Sequence, residues 1–232
     1  MMKIAAIYDI HGNAHALEAV LKEIEKEQVD KVIVGGDLAW GPQPKRVIEQ
    51  LYKKRNDFIF IMGNSDREIF EQYKKPQKVN NDMVSEINQW CIEELTKNQL
   101  EWLGSFKFAH SEGDTLFVHG SPRHDIESIR IDTPENEVYE MVKNAHESVI
   151  VCGHTHIQFQ RQIFSKRVIN AGSVGLQSRA KGACWLLMDS NHYSLRVTKY
   201  DFAGAAADII LDGAPFKEEF ANHVKNPPYE GP

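Results

Sequence analysis

The sequence predicts an α/β protein built on a parallel sheet, and three observations carry that expectation. Over the first 62 residues, short apolar runs alternate with amphipathic stretches in the order strand, helix, strand, helix, strand, joined by short connections. This is the pattern of right-handed crossover units. Each apolar run stops at a cluster of glycine and polar residues, and the first three clusters lie about thirty residues apart, the length of one strand–helix–strand unit. A chain of 232 residues is also long enough for one large core.

Taken in order, "KIAAIY" (3–8) reads as a short buried strand. "NAHALEAVLKEIEKE" follows as a helix, with Leu17, Val20, Leu21 and Ile24 at helical spacing. "KVIVGGD" is a second buried strand ending in glycines. "PKRVIEQLYKK" is a short helix with Pro44 suited to its first turn, and "FIFIM" is the third strand. Beyond it, "GNSD" reads locally as a tight turn. An amphipathic helical insert over about residues 80–104 carries Met83, Val84, Ile87, Trp90, Cys91 and Leu95 on one face. It restarts at "TKNQLEWL", where Thr96 and Gln99 form a capping box. These helices are expected to act as cover or as a lid. "TLFVHG" and "SVIVCGH" are two more strands around the helix "PENEVYEMVKNA". Four strands follow, "FQRQIF", "RVINAG", "ACWLLMD" and "YSLRVTKY"; Asp201 then caps a helix that ends at Gly213. Residues 1–213 are read as a single domain, and residues 214–232 as a loosely packed tail.

Composition excludes several classes. Net charge is −6 and the basic runs "YKKR" and "YKKPQK" are short and isolated, so duplex nucleic acid held through its phosphates is not indicated. Three widely spaced cysteines, Cys91, Cys152 and Cys184, sit among apolar neighbours without CxxC spacing; reduced core thiols are expected rather than disulfides or a zinc knuckle. "IAAIY" is too short for a signal peptide or a membrane span. No membrane partner is expected, the cytoplasm is the expected compartment, and self-association into a homo-oligomer is left open.

Five polar motifs stand directly after predicted strands: "YDIHGN", "GGDLAW", "GNSD", "VHGSP" and "CGHTH". Successive parallel strands end at one sheet edge, where open α/β proteins bind ligands. Asp9, His11, Asp37, Asn64, His119, His154 and His156 are therefore expected to converge. Singly, a histidine at a strand end or a "GGD" turn is most often structural. Five such signals in one context, each supplying an oxygen or imidazole donor, indicate metal instead. Donors without a thiolate suit manganese, iron, zinc, nickel or cobalt. Seven side chains exceed the needs of one ion, so two ions with a bridging carboxylate fit better.

The set D-x-H, G-D, G-N-x-D, H-G, G-H-T-H, followed by "INAGSVG", resembles the calcineurin-like metallophosphoesterase superfamily, and within it the YfcE-like small bacterial and archaeal phosphodiesterases. The likeness runs from Lys3 to about Tyr200. "LTKNQLEWLGSF" and "VHGSPRH" add a weaker likeness to members described as diadenosine-tetraphosphatase-like. The resemblance implies a four-layer αββα sandwich of two mixed β-sheets with the metals at one end. It puts Asp9, His11 and His156 on one ion, Asn64, His119 and His154 on the other, and Asp37 between them, with two divalent ions, Mn²⁺ foremost. Asp37, Asn64, Asp66 and His119 then form the catalytic group. Two ions roughly 3.5–4 Å apart clamp a phosphoryl group and activate a bridging hydroxide.

One position departs from the family. A histidine proposed as the proton donor usually follows the metal-binding asparagine; here that residue is Ser65, a hydroxyl far too weak an acid to replace an imidazolium. General acid help is worth about 10²–10⁴-fold, so either another group donates, with His15, His124 or His110 as candidates, or the leaving group needs no acid, or turnover is slow. Asp66 keeps the family's acidic residue, for which orienting a neighbouring histidine is the expected role. Arg67, Arg123 and Arg179 can offer bidentate contacts to phosphate; Arg123, with His124 and His15, is the candidate substrate-binding set. The expected substrate is a small phosphate ester: a phosphodiester, a dinucleoside polyphosphate or a phosphomonoester. The alternatives are a phosphoprotein phosphatase, or a non-catalytic scaffold on the same fold.

Overall fold

A computed structural model of the chain describes residues 2–76, 79–80 and 82–228. In chain order the elements are β1 (Lys3–Ile7), α1 (Ala14–Glu27), β2 (Lys31–Val34), α2 (Pro44–Lys53), β3 (Ile59–Phe60), α3 (Asn64–Lys74), α4 (Met83–Glu94), α5 (Lys97–Leu103), β4 (Ala109–Glu112) and β5 (Thr115–Val118). Then come α6 (Glu135–Val142), β6 (Val149–Cys152), β7 (Phe159–Ile163), β8 (Lys166–Asn170), β9 (Ala183–Asp189), β10 (His192–Thr198), α7 (Phe202–Asp212) and α8 (Lys217–Lys225).

The strands form two mixed sheets of five, ordered β10-β9-β1-β2-β3 and β4-β5-β6-β8-β7. β1, β2 and β3 run parallel, as do β5, β6 and β8. Antiparallel strands occupy one edge of the first sheet and both edges of the second. Period-2 side-chain alternation sorts β1 between two cores. Ala5 and Ile7 face the helices α1, α2, α7 and α8, whereas Ile4, Ala6 and Tyr8 face the second sheet. β6 does the same, with Val149 and Val151 inward and Ile150 and Cys152 outward under α6. The result is helix, sheet, sheet, helix. Each large aliphatic chain buried between layers contributes about 1.5–3 kcal/mol. Tyr8 enters the inter-sheet core because its hydroxyl donates to the Val151 carbonyl at 3.2 Å, so no polar atom is stranded there. The three cysteines are buried thiols. Among the described residues no helix is long and apolar enough to cross a membrane.

Three segments differ from expectation. The turn read at "GNSD" is the first turn of α3, because Asp66 reaches back to accept from the Gly63 N–H at 3.3 Å and so caps the helix start. β4 is an edge strand with partly exposed side chains, "AHSE", which gives no apolar alternation to read. The tail after Gly213 is not loose: α8 buries Phe220, Ala221 and Val224 against the helical core, a one-face apolar spacing that holds a helix down. Residues 229–232 of that tail, and residues 77–78 of the basic run, lie outside the described residues.

Candidate metal centre

The parallel strands bring five loop starts to one rim. The loop after β1 continues alongside the loop after β2: Asp9 N donates to Gly36 O, His11 N to Asp37 O and Gly12 N to Leu38 O, each at 3.0 Å. Within the second sheet, past the ends of β5 and β6, Gly153 N donates to His119 O at 2.9 Å. Such crowding needs missing side chains. A Cβ on Gly36 would stand 2.5 Å from Gly63 N and 2.8 Å from the His119 ring, at a φ of +100° that few other residues tolerate. Asp9, His11, Asp37, His154 and His156 all hold φ between +45° and +65°. Left-handed backbone at a non-glycine residue costs about 1–3 kcal/mol. Five such residues in one place indicate that the fold sustains this strain to turn the side chains inward.

The seven expected donors meet. Ligand atoms of Asp9, His11 and His156 lie within 4.8 Å of one another, and so do those of Asp9, Asp37 and His119. His11 Nε2 is 3.1 Å from His156 Nε2, and His119 Nε2 is 3.1 Å from Asn64 Oδ1. The His119 and His154 rings stand 5.2 Å apart. Asp37 Oδ2 sits between the halves, 3.6 Å from His11 Nε2 and 3.5 Å from His119 Nε2. Both central imidazoles are anchored at the far nitrogen: His11 Nδ1 to Trp40 O at 3.0 Å, and His119 Nδ1 to Gly35 O at 2.9 Å. Donation there turns each Nε2 to the centre, where its lone pair serves a cation once any proton on it has left.

Electrostatics matches a cation site. Burial pushes the Asp9 carboxyl up to about 8, with the Asp37 charge adding to it and His119 opposing. Burial also works against ionised Asp37, but His119 and His11 outweigh it and hold that carboxyl well below the usual range. For His119, burial favours the neutral ring, yet Asp37 prevails and raises it to about 10. Burial lowers His154 to about 4, and lowers His11 and His156 as well. Asp9 Oδ1 is buried without a hydrogen-bond partner. An acceptor left so costs about 1–3 kcal/mol, and a divalent cation among oxygen and imidazole donors is a partner that satisfies it. The residues present therefore fit such an ion.

The surrounding residues play different parts. Asp66 orients backbone rather than a histidine: it accepts from Asp37 N at 2.7 Å, Leu38 N at 3.0 Å and Gly63 N at 3.3 Å, because its place at the start of α3 faces those amides. Burial, with the Asp37 charge, raises its carboxyl to about 6. Ser65 is buried, donates its backbone N–H to Asp37 Oδ1 at 2.9 Å, and leaves its hydroxyl without a partner. His15 is engaged by Asp208 at 2.9 Å, His110 faces Glu112 at 3.4 Å, and exposed His124 lies against Asp125 at 2.9 Å. Arg123 is paired with Glu127 and Arg67 with Asp125; Arg179 donates its backbone N–H to Pro228 O.

Sequence reasoning assigned no part to Asn170, Trp40 or Asp125. Asn170 donates to Gly153 O at 2.7 Å and Thr155 Oγ1 at 3.0 Å, holding the "GHTH" loop. Its place in "INAGSVG" was the available signal. Trp40 lies edge-on to His11 at 5.6 Å and to Phe220 of α8 at 5.9 Å, a link between distant segments with no local trace.

Comparison with known proteins agrees with this geometry. A family model for the calcineurin-like phosphoesterase superfamily domain matches residues 2–192. An uncharacterized protein of Methanocaldococcus jannaschii is 24% identical over 236 aligned residues, covering 91% of this chain and 93% of that protein. A metallophosphoesterase structure from Sphaerobacter thermophilus superposes with a TM-score of 0.78 at 23% identity, covering 97% of this chain and 99% of that one. A hypothetical protein of Pyrococcus horikoshii gives 0.82 at 20% identity, with 97% and 98% covered. The Escherichia coli phosphoesterase YfcE shares the fold at 0.52 and 18% identity, with 84% and 93% covered.

Proposed function

Because the chain belongs to the calcineurin-like phosphoesterase superfamily, an enzyme family of phosphoester hydrolases, we propose that it hydrolyses small phosphate esters at a two-ion centre on the seven-residue rim. Phosphodiesters and dinucleoside polyphosphates are the foremost substrates, with phosphomonoesters third. Asp9, His11 and His156 would hold one divalent ion and Asn64, His119 and His154 the other. The observation that carries this reading is the position of Asp37 Oδ2, 3.6 Å from His11 Nε2 and 3.5 Å from His119 Nε2, where one carboxylate oxygen can serve both halves. Bound there, divalent ions supply Lewis acidity, acidifying water and withdrawing charge from phosphoryl oxygens.

The chain's own residues do the rest by placement. His11 and His119 present Nε2 because Trp40 and Gly35 carbonyls accept from Nδ1. Asp66 holds the Asp37 loop through backbone amides, so the Asp37 carboxylate is held in place between the two halves, where it could bridge them. No imidazole stands at position 65; the Ser65 hydroxyl can donate a hydrogen bond but does not deliver a proton to an alkoxide. Leaving groups that depart as stable anions, nucleotide phosphates or aryl oxides, are accordingly favoured. We place the protein in the cytoplasm, a reading supported by three buried reduced thiols, and take manganese, the ion foremost in the resemblance, as the working metal; the mixed imidazole and oxygen donor set equally suits iron, zinc, nickel or cobalt.

The test is a panel of phosphate compounds after chelation and readdition of Mn²⁺, run beside an Asp37→Asn chain and with metal content measured. Expected are manganese-dependent hydrolysis, close to two ions per chain, and no turnover in the variant. Full activity in stripped protein would overturn the proposal.

A further inference from the structure

One half-buried ion pair lies next to the centre without belonging to it. Asp125, 5% exposed, receives Arg67 as a fork: Nε donates to Oδ2 at 2.6 Å and Nη2 to Oδ1 at 3.3 Å. His124 Nδ1 is 2.9 Å from Oδ1. Arg67 stands three residues after Asn64 in the first turn of α3, and Asp125 six residues after His119 at the end of β5. The loop carrying Asp125 is tightly folded: Ser121 N donates to His124 O at 2.9 Å, and Ser121 Oγ accepts from Arg123 N at 3.0 Å and His124 N at 3.2 Å. It lies so close to the strand end that a Cβ on Gly120 would stand 2.5 Å from Asp125 O. The same loop reaches the segment that carries the third donor, because Thr155 Oγ1, next to His154, donates to Ile129 O at 3.4 Å.

Asn64 is carried by the start of α3, His119 by the end of β5, and His154 by the loop after β6, against which the post-β5 loop packs; Arg67–Asp125 ties the first two of these segments together. We propose that the Arg67–Asp125 pair is a positioning clamp for the Asn64–His119–His154 half of the metal centre, holding α3 and the loop at the separation at which the three donors face one cation. The inference rests on the two-ion reading above. A pair at the open surface would do little. Here the carboxylate is buried, and withdrawing the arginine leaves it only the exposed His124 on the same loop, so moving α3 away from the loop takes the carboxylate's forked partner with it. The fork also explains what Arg67 does not do: with Nε and Nη2 committed to Asp125, and Nη1 3.5 Å from Glu71, it acts through the protein rather than on a phosphate. The Asp9–His11–His156 half takes its orientation from other contacts, His11 to Trp40 O and the His154 N–H to Asp9 Oδ2 at 2.9 Å. A clamp predicts that one half weakens and the other does not.

Manganese binding to the full chain, by equilibrium dialysis with electron paramagnetic resonance on the loaded samples, tests this without reference to turnover. Wild type is expected to take two ions and show an exchange-coupled spectrum. Asp125→Asn and Arg67→Gln should each keep one ion near wild-type affinity, weaken the other by about 10–100-fold, and show the uncoupled spectrum of a single ion. The double variant should be no worse than either single one, the mark of a shared interaction, and Arg67→Lys should fall between. If Asp125→Asn does not fold, the Arg67→Met/Asp125→Leu chain removes the charge from both sides and is judged by the same criterion. Two ions bound by the Asp125 variant with unchanged affinity overturn the clamp alone, as does parallel weakening of both ions. A wild-type chain that takes fewer than two ions overturns the two-ion reading and the clamp with it.

Discussion

Stripped of divalent ions, the protein is expected to lose stability as the pH rises from 6.5 to 8, and to regain it when an ion is returned. The Asp9 carboxyl is raised to about 8, mainly by burial, and the His119 imidazole to about 10, where the Asp37 charge overcomes the opposing effect of burial. Each group holds in the folded chain a proton that the unfolded chain releases, near pH 3.9 for the carboxyl and 6.5 for the imidazole. Stability from a raised group is complete below its unfolded pKa and is lost as pH climbs through its folded one. Between 6.5 and 8 both contribute with the same sign, so the slope reaches at most ~2.7 kcal/mol per pH unit. Across the window this amounts to about 2–4 kcal/mol. From pH 6.5 to about 7 the trend is partly offset, because His154, lowered to about 4 by burial, and the similarly lowered His11 and His156 take up protons on unfolding and run the other way, so the loss is steepest above about pH 7. Depressed Asp37 stays ionised throughout the window and adds no slope. A divalent ion needs deprotonated donors, and at a hundred times its Kd it restores about 2.7 kcal/mol, with the larger recovery at pH 8. Urea unfolding in chelator at pH 6.5, 7.25 and 8, with and without Mn²⁺, measures all of this. Asp9→Asn removes one of the two protons and should reduce the net slope by more than half. A stripped protein whose stability is flat or rising over this range would refute the charge assignment.

Three further outcomes are expected. Wild type should hydrolyse nitrophenyl phosphodiesters far faster than dialkyl ones, and Ser65→His should raise the rate on alkyl leaving groups by about 10²–10⁴-fold with little change on nitrophenyl ones; equal wild-type rates on both classes count against the missing-acid reading. Asp66→Asn places an amide donor against backbone N–H groups that now share a carboxylate, so a loss of about 1–3 kcal/mol in denaturant stability and a 10–100-fold weaker metal affinity, about that of other supporting residues, are expected from titration calorimetry. Phe220→Ala opens a cavity under Trp40 and should cost about 3–5 kcal/mol by thermal or urea unfolding; a change below 1 kcal/mol would mean that α8 is not held as described.

What could be read without coordinates depended on local pattern. Strands such as "KIAAI" and "VIVC" announce themselves by continuous apolar residues because both faces are buried, and each donor of the rim follows such a run directly. α7 was legible from Asp201, whose side chain accepts from Gly204 N at 2.9 Å, through to Gly213 at φ +76°. The start of α3 was not, since Gly-Asn-Ser is turn chemistry until Asp66 caps it. β4 escaped because an edge strand with polar side chains has no periodicity, and α8 because nine residues carry little signal until Phe220 meets Trp40.

The sequence by itself determined the alternation of elements and which seven side chains gather at one rim, because parallel strands end at a common edge whatever else the fold does. Only the tertiary structure decided that Asp37 Oδ2 lies nearly equidistant from two imidazoles, that Asp66 grips backbone, that Asn170 holds the "GHTH" loop, and that Arg67 is committed to Asp125. These pairings join residues that are distant along the chain, and a hydrogen bond or buried ion pair is set by where packing leaves two groups, which no local spacing encodes.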